Sequence, residues 1–356
     1  MTMDPLTAAC PLPLAETERV LLGHGSGGRL MAELLAGVIA PELGLDGPAE
    51  DAAIVGLGAG AGPAGDAEVV VSTDSFVVTP RAFPGGDIGE LAVNGTVNDL
   101  AMRGARPVGL CLAYIIEEGL CLDELRGITA SAARAARAAG VRVVSGDTKV
   151  VGHGAADGLY ITTTGFGVRL PGAEVSAAGA RPDDVVLVSG PIGLHGTAIL
   201  SVREGLGFDG EIASDTRPLH DLVAAMIEAG GADVHALRDP TRGGLASALV
   251  ELAETSGVGV EVDEGAIPVP GTVAAACELL GLDPLHVANE GCLVAFVAPE
   301  AALEVLAAMR AHPAGAQARP IGRAVAAKPG MVRMHTLVGA TRVVDMLVGE
   351  QLPRIC

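Results

Sequence analysis

The sequence predicts a two-domain α/β protein ending in a short mobile arm. Segments rich in Val, Ile and Leu alternate with helix-like stretches, joined by glycine turns, as in layered α/β folds. Just under half of the 356 residues are hydrophobic, mostly Ala, Val and Leu, with 50 Gly, no Trp and two Tyr. This composition favours tight turns and Ala-faced helices over an aromatic-rich sandwich. Over residues 171–182 the composition shifts to Ala, Gly and Pro, which marks a linker between domains at 1–170 and 171–340. Residues 341–356 then form the tail.

The formal net charge of −20 speaks against a nucleic-acid partner, which clustered Lys and Arg would hold. A nucleotide stays open, because Mg²⁺ bridges carboxylates to phosphates. Cys10, Cys111, Cys121, Cys277, Cys292 and Cys356 form no C-x-x-C pair and have no His at zinc spacing. The internal ones read as small buried hydrophobes. Residues 1–14 lack the cationic start and apolar run of a signal peptide and read as a loose leader. No run approaches a membrane span in length. A reducing cytoplasm is the expected compartment, and it would keep Cys356 a thiol.

The chain closes with Leu352-Pro353-Arg354-Ile355-Cys356. A terminal thiol has no packing purpose and is exposed to oxidation. Pro353 stiffens the segment by fixing φ. Two readings stand: an arm with a nucleophilic sulfur at its tip, or a frayed end that finishes in Cys.

In the first half, residues 19–22 lead into Gly23-His24-Gly25-Ser26-Gly27-Gly28 and a helix over 29–40. The glycines satisfy G-x-G-x-x-G, but no second strand with a ribose-binding acid follows, so a dinucleotide fold is discounted. The loop either wraps phosphate with its N–H groups or makes a plain turn into the helix. Glu50-Asp51 precede an apolar run, and a strand from 68 ends in Ser72-Thr73-Asp74-Ser75. Acids at strand ends are where α/β folds keep chemistry, though each Asp also suits a turn or cap. Residues 87–102 read as a helix in which Asn94 and Asn98 share one face, with Asp99 beside it. Poor helix formers at mid-helix suggest a ligand-facing stripe over a solvated one. Strands are expected at 107–116, 141–144 and 159–169, with a helix at 122–139 closed by Gly140. The strand at 141–144 runs into a turn, Ser145-Gly146-Asp147-Thr148-Lys149. Lys149 is one of only two lysines, a compact charge suited to phosphate or else an ordinary surface lysine.

In the second half a buried strand at 184–189 runs into Gly190-Pro191-Ile192-Gly193-Leu194-His195-Gly196 and a helix over 197–204. A strand at 234–237 leads to Arg238-Asp239-Pro240-Thr241-Arg242-Gly243-Gly244, which opens a helix over 245–256. An acid, two guanidinium groups and a helix N-terminus suit phosphate or Mg²⁺. Asn289-Glu290-Gly291 turns into an apolar strand at 292–297, with Glu290 either a rim charge or a base.

Taken in order, these blocks resemble the PurM-like superfamily of aminoimidazole ribonucleotide synthetase type. They are Gly23–Gly28, Asp51-Ala52-Ala53, Ser72-Thr73-Asp74-Ser75, Asn98-Asp99-Leu100-Ala101, Gly146-Asp147-Thr148-Lys149-Val150-Val151, Arg238–Gly244, Asn289-Glu290-Gly291 and Pro353-Arg354-Ile355-Cys356. The terminal Cys narrows the resemblance to the carbamoyl dehydratase family of nickel–iron hydrogenase maturation. Two positions depart from the family pattern: Glu50 stands where a second acid of shorter reach is usual, and Leu194 replaces an acid before His195.

The resemblance implies an α+β fold of two halves, with the N-terminal domain pairing with its copy into a β-barrel-like homodimer interface and ATP in the cleft. It implies that a partner carbamoyltransferase loads Cys356, that ATP drives dehydration to a thiocyanate, and that an iron-carrying scaffold accepts the cyanide. Mg²⁺ would lie on Asp51, Asp74, Asp99 and Asp239. ATP would contact these together with Ser72, Thr73, Asn98, Gly146, Asp147, Thr148 and Lys149. Cys356, Asp99 and Lys149 would act in the chemistry, with Glu290 as first candidate base and His24 as second. An enzyme of the same superfamily acting on a free small molecule, or a non-catalytic metallochaperone, are the competing readings.

Overall fold

The computed structural model describes residues 20–45, 47–56, 68–205, 212–348 and 354–356. The leader expected at 1–14, Cys10 and Pro353 lie outside them. The glycine loop at 23–28 is followed by α1 (Arg29–Leu34), a wider turn over Leu35–Ile39, and α2 (Ala40–Leu43). The single helix expected over 29–40 is thus interrupted, just ahead of Pro41, whose nitrogen has no hydrogen to donate.

Alternating burial builds the first sheet. In β2 (Glu68–Phe76), Val70, Ser72 and Phe76 are buried while Thr73 and Ser75 are exposed. With β1 (Ala53–Gly56), β5 (Ala105–Glu117), β6 (Arg142–Val151) and β7 (Leu159–Arg169) it forms a five-stranded sheet in the order β1-β2-β7-β5-β6. The pairs are antiparallel except β5–β6. A small ribbon of β3 (Ala82–Phe83) and β4 (Gly86–Asp87) enters α3 (Ile88–Met102), and α4 (Leu122–Ala138) packs against it. Asp87 caps α3, its carboxylate accepting from the N–H groups of Gly89 and Glu90 at 2.8 and 3.0 Å. Every residue of α3 is buried except Glu90 and Asp99, because the helix is sandwiched between this sheet and the second half of the chain. The opposite face of the sheet stays open, with Val55, Val108 and Val168 exposed.

The second half is a seven-stranded sheet in the order β14-β13-β10-β12-β8-β11-β9. Its strands are β8 (Val185–Val188), β9 (Val234–Arg238), β10 (Gly259–Asp263), β11 (Val294–Val297), β12 (Arg319–Val325), β13 (Val332–His335) and β14 (Thr341–Val344). The helices are α5 (Leu194–Arg203), α6 (His220–Gly230), α7 (Gly244–Ser256), α8 (Gly271–Leu280) and α9 (Ala302–Ala311). One apolar core joins α7 to β8, β10 and β12; another joins α6 and α9 to the other face. No helix among the described residues is long and apolar enough to cross a membrane.

Three differences from the sequence expectation have local causes. Residues 341–344, assigned to the tail, pair with β13 as an edge strand. Cys277 and Cys292 are buried as expected, whereas Cys121 is exposed at the start of α4. The turn expected at 145–149 is instead the middle of β6. Gly146 passes so close to the Leu112 carbonyl that any Cβ would collide with it, and a one-residue register slip at Leu110/Cys111 absorbs the irregularity. A Gly146→Ala substitution should therefore destabilise the fold by about 2 kcal/mol, seen as a lower urea midpoint. An unchanged midpoint would contradict this close approach.

Candidate active site

Five acids from separate elements meet where the two halves face each other. Asp51 precedes β1, Asp74 lies near the end of β2, Asp99 is on α3, Asp239 follows β9 and Glu290 precedes β11. Ser72, on the same face of β2 as Asp74, donates to Asp99 at 2.6 Å. Asp51 is ion-paired to Arg238. Gly243 and Gly244 both take positive φ, +80° and +63°, letting the chain turn sharply from Asp239 into α7. Arg242, on that turn, donates to the Gly25 carbonyl at 2.9 Å, so the glycine loop lies against the site.

Burial and mutual repulsion dominate the electrostatics. Burial, then Asp239, Asp74 and Asp51, raises the Asp99 carboxyl well above its ordinary value. Burial and Asp51 push Asp239 up to about 8. Burial first, and Asp239, Asp215 and Asp74 after it, raises Glu290 well above the usual range, while Arg242 opposes the rise. One oxygen of Glu290 is buried without a hydrogen-bond partner. Such a set resists full ionisation unless positive charge arrives.

The tail ends here. The Val77 N–H donates to the Cys356 carbonyl at 3.1 Å and the Thr79 N–H to the Arg354 carbonyl at 3.2 Å, so residues 354–356 run antiparallel to the continuation of β2. Ile355 is 1% exposed and joins the first-half core, which contributes about 2 kcal/mol. Cys356 is half-buried beside the acids. Burial pushes its thiol up, Arg242 opposes this, and Glu290, Asp74 and Asp239 add to it. The docked sulfur is therefore held protonated. His195, fully buried, bonds through Nε2 to the Ile355 carbonyl at 2.8 Å and through Nδ1 to the Ser214 hydroxyl at 2.8 Å. Burial lowers its pKa to about 4, so the neutral ring donates at Nε2 and accepts at Nδ1.

Other sequence candidates lie elsewhere or hold the frame. Thr73 is on the opposite face of β2, bonded to Thr163 and Thr164. The Asn98 amide is occupied, accepting from Leu219 N–H at 2.8 Å and donating to the Arg217 carbonyl at 3.1 Å. The Asn94–Asn98 face thus pins residues 216–219 of the second half. Glu50 turns away to Arg103 at 2.8 Å and Ser176 at 2.6 Å. His24 is tied to its own turn through Leu21 N–H. Gly146, Asp147, Thr148 and Lys149 lie on the edge strand β6, with Lys149 paired to Asp147 at 2.6 Å and both exposed. The register runs Asp74–Thr163–Leu112–Gly146, so this group stands three strand spacings, about 14 Å, from the acids of its own chain.

Sequence reasoning missed Asp215, whose carboxylate accepts from the N–H groups of Glu290 and Gly291, both at 3.0 Å, and shapes their turn. It also missed Asn289, bonded to Gly193 N–H at 2.6 Å and to the Pro240 carbonyl at 2.8 Å. Asp215 sits in no motif, and Asn289 lies in the Asn289-Glu290-Gly291 block without a role assigned from sequence, because each acts through the backbone of a distant segment.

Hard carboxylate oxygens suit Mg²⁺, and the repulsion raising Asp99 and Asp239 is what a cation would relieve. Among the described residues no three His, Cys, Asp or Glu side chains converge as a ready-made ligand set. That fits an ion held by one or two carboxylates with water and phosphate as the other ligands.

Comparison with known proteins agrees with this architecture. Residues 49–169 match the N-terminal domain of AIR synthase related proteins and residues 181–335 the C-terminal domain. The carbamoyl dehydratase HypE of Bradyrhizobium diazoefficiens is 54% identical over 337 residues, 94% of this chain and 95% of the relative. A crystal structure of HypE in complex with ATP aligns with TM-score 0.79 at 45% identity, covering 95% of this chain and all of that one. A HypE–HypF complex aligns with TM-score 0.80 at 43% identity, covering 90% of this chain and all of that one.

The titration of Asp239 has a testable sign. Its folded pKa lies above the unfolded value of 3.8, so the stability it contributes is complete below that value and is lost as pH rises through about 8. Asp239→Asn should make this decline shallower in the metal-free chain and raise the thermal midpoint at pH 8. Superimposable pH–stability profiles for the two proteins would refute the assignment.

Proposed function

Because the chain belongs to the HypE carbamoyl dehydratase family, we propose that it removes water from a carbamoyl group carried on Sγ of Cys356, using ATP. The observation that carries this reading is the position of Cys356 among Glu290, Asp74, Asp239 and Arg242. A thiocarbamate loses water poorly, because hydroxide is a poor leaving group. Transfer of the γ-phosphoryl group to its carbonyl oxygen breaks the bond to ADP and makes phosphate the leaving group instead. One N–H proton is lost as that oxygen is phosphorylated, and the second as phosphate departs with the C–O electron pair, leaving S–C≡N. Glu290, with one buried oxygen unpartnered, is the base for these protons. Arg242 offers positive charge to the phosphate as charge develops. One or two of Asp51, Asp74, Asp99 and Asp239 would hold Mg²⁺, which would supply charge neutralisation on the phosphates when bound.

The HypF partner of the structural relative suggests the carbamoyltransferase that loads Cys356. An iron-carrying hydrogenase maturation scaffold would accept the cyanide. The reaction belongs in the cytoplasm, where the thiol stays reduced. The chain would work as a homodimer through the open face of the first sheet. Lys149, too far from the acids of its own chain, would then serve ATP in the paired subunit together with Gly146, Asp147 and Thr148.

Intact mass measurement tests the chemistry. After incubation with the carbamoyltransferase and carbamoyl phosphate, Cys356 should carry a carbamoyl adduct that loses one water when ATP is added. A Cys356→Ala chain that still turns over an untethered substrate would sink this reading. Asp99→Ala and Lys149→Ala should each cut phosphate release at least tenfold. Mixing the two variants should restore about a quarter of wild-type activity, since half the dimers would then be mixed and contain one intact site. No recovery on mixing would exclude a shared pocket.

A further inference from the structure

Docking of the terminus rests on contacts that depend on its sequence. The backbone bonds to Val77 and Thr79 would accept any peptide, as strand addition does. Contacts to the Ile355 and Arg354 side chains add discrimination, while His195 and Arg203 fix the register through main-chain carbonyls. Ile355 fills the first-half core, where Phe83 stacks edge-on against His195 at 5.3 Å. His195 fixes the register through the Ile355 carbonyl. Arg203, at the end of α5, donates to the carbonyls of both Thr79 and Arg354 and so bridges the two strands. Asp157, before β7, ion-pairs with the Arg354 guanidinium, which also donates to the Val77 carbonyl at 3.3 Å. These groups come from α5 and from the residues around β7, not from the acid cluster.

We infer that residues 77–79 with Asp157, His195 and Arg203 form a peptide-binding subsite selective for Arg-Ile-Cys, and that this subsite aligns Sγ of Cys356 with the acids. Ile355 is the anchor, Asp157 selects the cation at 354, and His195 is a positioning residue acting through the peptide carbonyl. This also gives a use to the glycine turn ahead of His195, where Leu194 replaces an acid: the segment holds the tail and needs no metal ligand. The inference builds on the proposed reaction but is tested without it.

The test is the rate at which iodoacetamide alkylates Cys356 in the full-length chain without ATP, resolved from the other cysteines by peptide mass mapping. Cys121, exposed, serves as the internal control, and its rate should not change. Undocking frees a sulfur that burial otherwise keeps protonated. Ile355→Ala should speed alkylation of Cys356 at least tenfold. His195→Ala should also speed it, and His195→Gln, which keeps a donor, should restore most of the protection. Asp157→Arg and Arg354→Asp should each accelerate it severalfold, while the double variant returns to within about twofold of wild type through the reversed pair. Equal rates in wild type and Ile355→Ala would overturn the subsite. A double charge variant as fast as the product of the two singles would overturn selection by Asp157. Because no carbamoyl group or nucleotide is present, a failed dehydration assay would leave this result unaffected.

Discussion

Carboxylates gathered in a buried cleft repel one another, and the site is arranged around that repulsion. Asp99 and Asp239 carry raised proton affinities because burial strips them of water and, after that, because each faces other acids. Two arginines moderate the charge without cancelling it. Arg238 is committed to Asp51, and Arg242, placed beside Cys356, Asp74, Glu290 and Asp99, stays protonated. A fold that tolerates this gives up stability at the site.

The scaffold earns its shape from the same requirement. Every residue of α3 but Glu90 and Asp99 is buried, and Asp99 is the acid it contributes to the site. Asn98 beside it ties the helix to residues 217–219, and Asp215 holds the Glu290 turn in place. The acids are therefore fixed by backbone bonds made by neighbours, which is how a charged cluster keeps its geometry against its own repulsion. The tail adds the thiol to this frame through Ile355 burial and the His195 bond.

Much of this was legible in the sequence. Strands and helices announced themselves through hydrophobic period and glycine stops, and α3, α4, α5 and α7 were expected close to where they occur. Asp51, Asp74, Asp239 and Glu290 were readable because each follows or precedes an apolar run at a turn, and Asp99 because it stands beside asparagines in the middle of an otherwise apolar helix. The G-D-T-K segment was misread as a turn because Gly and Asp are turn formers; the close approach of Gly146 is to Leu112, 34 positions earlier on a neighbouring strand. Asn98 looked like a ligand residue because its buried partners are backbone groups more than a hundred positions distant. His195 offered only an ambiguous signal, since nothing local links it to Ile355.

The central claim is that these raised carboxylates stand ready to exchange protons for a magnesium nucleotide. Calorimetric titration of the chain with preformed magnesium–ATP at pH 7, in two buffers of different ionisation enthalpy, measures that exchange directly. Net proton release is the predicted result, reduced in Asp239→Asn. Binding heats independent of buffer, with no protons leaving the protein, would contradict the account.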